Sequence, residues 1–165
     1  MNNQNNNLKT SIFEYRKHLE QVEEILDELF QHSHNGDIFV VEGKRDIRSL
    51  KKLGIDGDIE TVSNKSILNF SEDIAYTGKC VIILTDWDRR GEILASRLSE
   101  YLQTLDADYD IEIREQLKSL VKKEIKDIES LYTYVMKLRS IAGTTSDFTD
   151  FTDEFGYYVY HPFGW

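Results

Sequence analysis

The sequence is short of cysteine and has no long apolar run. Its single cysteine, Cys80, excludes an intramolecular disulfide and any zinc site built from several cysteines. No apolar stretch approaches the roughly 18–20 residues of a membrane span, so we expect no membrane partner. The amino terminus lacks the basic start and apolar core of a signal peptide. We therefore expect a cytoplasmic protein.

Positive charge is also scarce, since 20 Lys and Arg face 30 Asp and Glu, for a net charge of −10. A protein that binds nucleic acid by neutralising many phosphates is basic, so the composition excludes polybasic binding. A local contact bridged by a metal ion, or a partner that supplies the affinity, stays open. At 165 residues and 40% hydrophobic composition, the chain is long enough for one domain with a buried core.

The two ends of the chain predict helices and tails. Residues 1–8 are Asn-rich and polar, which predicts a disordered tail. Residues 9–36 are predicted to form one long helix, and residues 114–140 a carboxyl-terminal helical extension, because apolar side chains recur every three or four positions. Residues 141–165 form an acidic, aromatic tail that we expect to pack on the domain or on a partner.

Pairing of the two helical segments within the chain is the interpretation we favour. Their near-heptad spacing leaves an alternative, in which they bind a partner protein or a second copy of the chain. The positions that carry this spacing are Ile12, Tyr15, Leu19, Val22, Leu26 and Leu29 in the first segment, and Leu117, Val121, Ile128, Leu131, Val135 and Leu138 in the second.

Residues 37–113 alternate short apolar strands with amphipathic helices. This order predicts an α/β fold in which helices flank a parallel sheet. Ligands of such sheets bind at the carboxyl ends of the strands. The helix over residues 90–102 is predicted to bury Ile93, Leu94, Leu98, Tyr101 and Leu102. The predicted strands are 37–41, 59–62 and 80–85. The other predicted helices are 46–53 and one that is capped by Ser63 or Asn64 and carries the apolar residues of 67–75.

Three carboxylates follow two of these strands. Glu42 follows the first, and Asp86 and Asp88 follow the third. Alternate residues of an extended segment point the same way, so Asp86 and Asp88 can converge. Three carboxylates at one edge are suited to Mg²⁺, with Mn²⁺ as the alternative. The competing interpretation is that these acids cap the following helices, where the macrodipole favours negative charge.

Basic residues surround the three acids. Arginine suits bidentate phosphate contacts, and lysine supplies a point charge. A patch of this kind predicts contact with phosphate groups. The candidate phosphate-binding residues are Lys44, Arg45, Arg48, Lys65, Arg89 and Arg90.

Two motifs resemble the signatures of the Toprim domain: residues 40–46 (VVEGKRD) and residues 84–92 (LTDWDRRGE). That domain is shared by type IA and type II topoisomerases, bacterial-type primases, nucleases of the overcoming-lysogenization-defect type and a small ribosomal-RNA maturation nuclease. Over residues 37–113 the resemblance implies a Toprim fold with a four-stranded parallel sheet. Residues 109–113 would form its fourth strand.

The resemblance also implies roles for individual residues. Glu42 would be the general acid/base, and an Mg²⁺ ion would sit on the aspartates. Small residues would let the backbone approach the site. The candidate catalytic residues are Glu42, Lys44 and Arg90, the candidate metal ligands are Asp86, Asp88 and Glu42, and the close-approach glycines are Gly43 and Gly91.

The function that we predict is Mg²⁺-dependent cleavage of nucleic-acid strands. Arg90 stands where topoisomerases of this pattern carry an acid, which argues against topoisomerase chemistry. One alternative is a non-catalytic module that docks on a nucleic-acid-processing or ribonucleoprotein complex. Another is a phosphatase of the haloacid dehalogenase type with Asp86 as nucleophile, although Arg89 and Arg90 replace the small hydroxyl residues expected there.

Overall fold

The structure, a computed structural model, describes residues 2–62 and 65–143, and the side chains from residue 11 onward. The predicted acidic, aromatic tail falls almost wholly outside the described residues. The chain divides into two compact units: Ile25–Tyr132, and residues 1–24 together with 133–165. None of the described helices has the length and apolar character needed to cross a membrane.

The elements alternate along the chain as predicted. The strands are β1 (Ile38–Val41), β2 (Asp58–Thr61), β3 (Val81–Ile83) and β4 (Tyr109–Asp110). The helices are α1 (Asn2–His34), α2 (Lys44–Lys52), α3 (Ile67–Tyr76), α4 (Arg89–Thr104), α5 (Glu112–Val121) and α6 (Leu131–Ala142).

The four strands form one sheet in the order β2-β1-β3-β4, and every pair is parallel. The prediction of a four-stranded parallel α/β sheet is therefore confirmed. The chain runs outward from β1 to β2 and then returns past β1 to β3, so the strand order reverses between β1 and β3. In open α/β sheets, the crevice at such a reversal is where ligands bind. Glu42 directly follows β1 at that crevice.

The central strands are buried because their sequences are almost entirely apolar. β1 and β3 are buried along their whole length, whereas β2 at the edge alternates exposed and half-buried residues. One face of the sheet packs against α3 and α4 and thereby fixes the strand ends that carry the site. Its core consists of Ile38, Val40, Val81 and Ile83 from the sheet, Phe70 and Ile74 from α3, and Ala95, Leu98 and Leu102 from α4.

The carboxyl-terminal helical segment differs from the prediction, since residues 114–140 are not continuously helical. α5 and α6 are separated by residues 122–130. This segment bonds instead to the loop after β3: the Trp87 N–H donates to the Lys126 carbonyl at 3.1 Å, and the Ile128 N–H donates to Asp86 Oδ1 at 2.9 Å. These long-range bonds take the place of helical ones.

The amino-terminal helix also differs, because α1 begins at Asn2 and includes the stretch predicted as a disordered tail. Once a helix has nucleated, each further residue adds one hydrogen bond at little cost, so a polar stretch can extend it.

In the smaller unit, the first part of α1 pairs with α6. Glu23 is only 4% exposed and forms a bidentate ion pair with Arg139, with Nε–Oε1 and Nη2–Oε2 distances of 2.6 and 3.0 Å. His18 Nε2 and the Tyr134 hydroxyl lie 2.8 Å apart. This is the pairing within the chain that the apolar spacing favoured.

Candidate functional site

A cleft of about 570 Å³ lies at the carboxyl edge of the sheet. We call it the acidic cleft. The loops after β1 and β3 supply most of its wall, and the segment between α5 and α6 adds Glu129. Its lining residues are 42–46, Asp86, Asp88, Arg90 and Glu129. The structure thus brings together the three predicted acids and three of the predicted cations, Lys44, Arg45 and Arg90.

Glu42 and Asp86 form a carboxyl pair across the crevice between β1 and β3. The Asp86 N–H donates to Glu42 Oε2 at 3.0 Å. Burial, followed by the side-chain interaction with Glu42 and by the charges of Asp46 and Glu42, raises the pKa of Asp86 to about 8. The pair therefore holds a proton at neutral pH unless a cation replaces it.

Asp46 is a further acid of the cleft, and sequence analysis did not single it out. Its side chain is buried at the start of α2, where it accepts the Gly43 N–H at 3.0 Å. Burial, with added repulsion from Glu42, Asp127 and Glu129, raises the pKa of Asp46. The available signal was its position, three residues into the helix, where an acid accepts the backbone N–H of the cap residue.

Asp88 serves as the amino-terminal cap of α4. Its Oδ1 accepts the Gly91 N–H at 2.7 Å, as the capping interpretation expected for an acid at this position. The side chain nevertheless lines the acidic cleft beside Asp86. Asp88 can therefore cap the helix with one oxygen and face the cleft with the other.

The two predicted close-approach glycines differ in their surroundings. A Cβ at Gly91 would lie 1.8 Å from the Asp86 carbonyl oxygen, so only glycine fits between α4 and the loop after β3. A Cβ at Gly43 would meet Asp46 Oδ2 at 3.9 Å, an ordinary contact, and the Gly43 backbone is extended. The local geometry therefore requires glycine at position 91, whereas position 43 has room for a small side chain.

Arg114 holds in place the backbone of the loop between β3 and α4, residues 84–88, which we call the aspartate loop. It is 1% exposed, and its guanidinium donates to the Thr85 carbonyl at 2.9 Å and to the Asp86 carbonyl at 2.6 Å. The Trp87 indole donates to the Ile125 carbonyl at 2.7 Å. Sequence analysis missed Arg114; the available signal was an arginine next to Ile113 on the apolar side of a helix.

A second cleft, of about 640 Å³, adjoins the first and shares Glu42 and Arg90 with it. We call it the basic cleft. Two further predicted cations, Lys65 and Arg89, line it, together with Arg97, which sequence analysis did not select. Arg48 is exposed on α2 and lines neither cleft.

The donor set of the acidic cleft fits a hard cation. Glu42, Asp86 and Asp88 each have one carboxylate oxygen bonded to a backbone N–H, which leaves the other oxygen for a ligand. Oxygen donors of this charge are those that Mg²⁺ prefers. Across residues 2–62 and 65–143, no three His, Cys, Asp or Glu side chains stand close enough to hold one ion together. The Glu42–Asp86 pair is thus the nucleus of the candidate metal site.

Comparison with known proteins agrees with the fold and the motifs. The Toprim domain family model matches residues 37–126, more than half of the chain. The chain therefore belongs to the Toprim domain family, which associates it with metal binding and with nucleic acid.

More specific similarities are to archaeal UPF0292 proteins. One from Methanosarcina acetivorans is 55% identical over 141 residues, 86% of this chain and 98% of the relative. One from Pyrococcus abyssi is 40% identical over 124 residues, 75% and 91% of the two chains. The solved structure of a protein from Aquifex aeolicus matches with a TM-score of 0.56 and 29% identity, over 66% of this chain and 95% of that one.

Proposed function

We propose that this protein is an Mg²⁺-dependent nuclease that cleaves phosphodiesters of RNA or DNA in the cytoplasm, with Mn²⁺ as a substitute metal. The observation that carries the proposal is the Glu42–Asp86 carboxyl pair at the crevice between β1 and β3, 3.0 Å from backbone N–H to carboxylate. Such a half-buried acidic pair is costly without a cation or a proton, and the candidate phosphate-binding residues Lys44, Arg45 and Arg90 line the same cleft.

Glu42 and Asp86 would hold the metal ion, and Asp88, which lines the same cleft, would complete the set by turning its second oxygen toward the ion. When bound, the ion would stabilise the negative charge that develops on the phosphate oxygens. The Asp86 N–H and the Arg114 contacts fix the positions of Glu42 and of the aspartate loop. Preorganised groups of this kind need no rearrangement during the reaction.

A water molecule would attack the phosphorus while the bond to the leaving oxygen breaks. Glu42, which lines both clefts, would take a proton from that water or give one to the leaving oxygen. Arg90 also lines both clefts and would bind the phosphate in bidentate fashion. Lys44 would add a point charge at the rim of the acidic cleft.

The test is cleavage of end-labelled RNA and DNA in Mg²⁺, Mn²⁺ or EDTA. We expect Glu42→Gln and Asp86→Asn to lose at least about 100-fold in rate, the usual scale of general acid–base catalysis. Glu72→Gln, an exposed acid on α3 outside both clefts, is the matched control and should retain full activity. Full activity of the Glu42 and Asp86 variants would overturn the proposal.

One observation favours a second candidate, a non-catalytic Toprim module that docks on a nucleic-acid-processing or ribonucleoprotein complex. Asp88 already caps α4, and the described residues offer a carboxyl pair rather than a three-acid group. A binding module would associate with nucleic acid or a partner protein equally well after Glu42→Gln and would show no turnover. Pairing with a second copy of the chain belongs to the same candidate.

A further inference from the structure

The basic cleft has two unlike walls. One is cationic and consists of Lys65, Arg89, Arg90 and Arg97. The other is aliphatic and consists of Val62, Ile67, Ile93 and Leu94. The volume of about 640 Å³ lies within the range of pockets that hold ligands of small-molecule size. A ligand that matches both walls must combine negative charge with a flat or apolar surface.

The arginines of the cationic wall lack acidic partners among the residues that the structure describes. Lys65 is paired with Asp73 at 2.5 Å, but Arg89, Arg90 and Arg97 form no ion pair with any carboxylate in the described part of the chain. Arg89 and Arg90 also occupy the first turn of α4, where the helix macrodipole disfavours positive charge. An anion in the cleft would relieve both the mutual repulsion and the unfavourable position.

The length of the cationic wall exceeds one phosphate group. Arg90 and Arg97 are two turns apart on one side of α4, which separates them by about 10 Å along the helix axis. The wall therefore suits consecutive phosphates of a strand better than a single inorganic anion.

The aliphatic wall centres on Ile93, which lies between Arg90 and Arg97 on α4. Its helical spacing predicted burial, yet the side chain is 47% exposed, and Ala95 is buried instead. Contact with water does not stabilise the apolar side chain of Ile93. It can contact the face of a nucleobase, and only unstacked bases offer that face, because duplex bases cover one another.

We propose that the basic cleft binds an unstacked nucleotide of a single-stranded nucleic acid. The phosphates would contact Arg89, Arg90 and Arg97, and the base would pack on the aliphatic wall around Ile93. This inference rests on the proposed function, because the cleft shares Glu42 and Arg90 with the acidic cleft. The inference adds that the nucleic acid next to the reacting phosphodiester is single-stranded.

Binding without turnover tests the proposal. The full chain is titrated, in EDTA, against fluorescein-labelled single-stranded DNA and RNA 12-mers and against the matching blunt duplexes, and anisotropy gives Kd. We expect single strands to bind at least about tenfold more tightly than duplexes. A duplex that binds as tightly as the single strand would overturn the proposal.

Two variants test separately how much each wall of the cleft contributes to binding. Arg97→Ala should weaken single-strand binding about five- to tenfold through loss of a phosphate contact, and should lower its salt dependence. Ile93→Ser should weaken it about fivefold or more, within the range of a lost base contact. Lys51→Ala, at the opposite end of α2 from the site, and Leu105→Ser, after the end of α4, are the charge and apolar controls and should bind as the unaltered chain does.

The outcomes also separate this inference from the proposed function. Normal binding by the Arg97 and Ile93 variants, together with loss of cleavage in Glu42→Gln, would overturn the inference and leave the nuclease proposal intact. Strand binding that depends on Arg97 and Ile93, with no cleavage under any metal, would support the inference and refute the nuclease. A mononucleotide that competes as strongly as the 12-mer would assign the cleft to free nucleotides and overturn the strand assignment.

Discussion

The raised pKa of Asp86 makes the stability of the metal-free protein depend on pH. The pKa rises from the ordinary 3.8 to about 8 in the folded chain, through burial and the contact with Glu42. Between those values the folded state holds a proton that the unfolded state has released. The contribution of Asp86 to the free energy of unfolding therefore falls as the pH rises from about 4 to about 8, and then levels off.

Asp86→Asn isolates this effect. Asparagine mimics the protonated carboxyl, since its oxygen can accept the Ile128 N–H and its amide can donate to Glu42. A shift of one pKa unit corresponds to about 1.4 kcal/mol in the free energy of unfolding. Because the site is partly solvated, we expect only a fraction of the energy of the full shift, about 2 kcal/mol. At pH 8 the variant should be more stable than the parent by that amount, and near pH 4 the difference should vanish.

Urea unfolding in EDTA measures this difference in stability. Measurements at about pH 4.5, 6.5 and 8 span the titration of Asp86. Asp56→Asn, at an exposed loop position, is the control and should leave the pH profile unchanged. Mg²⁺ added at pH 8 should stabilise the parent chain and not the Asp86 variant, because only the parent carries the metal pair. A stability difference that stays constant across this pH range would refute the raised pKa.

Four further substitutions test the packing around the site and the smaller unit. Arg114→Ala should lower the free energy of unfolding, measured by chemical denaturation, by about 3 kcal/mol, because it leaves two buried carbonyls without donors. A loss below about 0.5 kcal/mol would contradict the proposed role of Arg114 in holding the loop. Gly91→Ala should destabilise the fold by more than about 3 kcal/mol through the clash with a backbone carbonyl, whereas Gly43→Ala should cost less than about 1 kcal/mol; equal effects would contradict the close approach. Arg139→Ala should lower stability by about 3 kcal/mol because it leaves the carboxylate of Glu23 buried without a partner, and unchanged thermal unfolding would show that the pair contributes nothing.

The central acids were predictable from the sequence because their positions depend on local order. Glu42 and Asp86 come just after buried apolar strands, and parallel strands end at one edge. The strand order, with β1 beside β3, then brings the two acids into contact. Two short motifs and one rule of sheet geometry were enough to identify this pair.

Other parts of the site depend on contacts between distant segments, which no local pattern encodes. Arg114 acts through carbonyls 28 and 29 positions away, and the non-helical segment after α5 exists because its backbone bonds to the loop around Trp87. The helical pattern wrongly predicted that Ile93 is buried, for a different reason. Spacing identifies the side of a helix, but only the neighbouring elements decide whether that side is covered.

The sharing of Glu42 and Arg90 between the two clefts has a thermodynamic consequence. If the acidic cleft takes a cation and the basic cleft takes a strand, neutralisation of Glu42 by the cation removes a repulsion that the incoming phosphates would otherwise meet. The two ligands are then linked, and linkage is reciprocal: whatever factor the metal adds to strand affinity, the strand adds to metal affinity. A chain of net charge −10 would thus bind a strand more tightly with the metal ion in place than in EDTA.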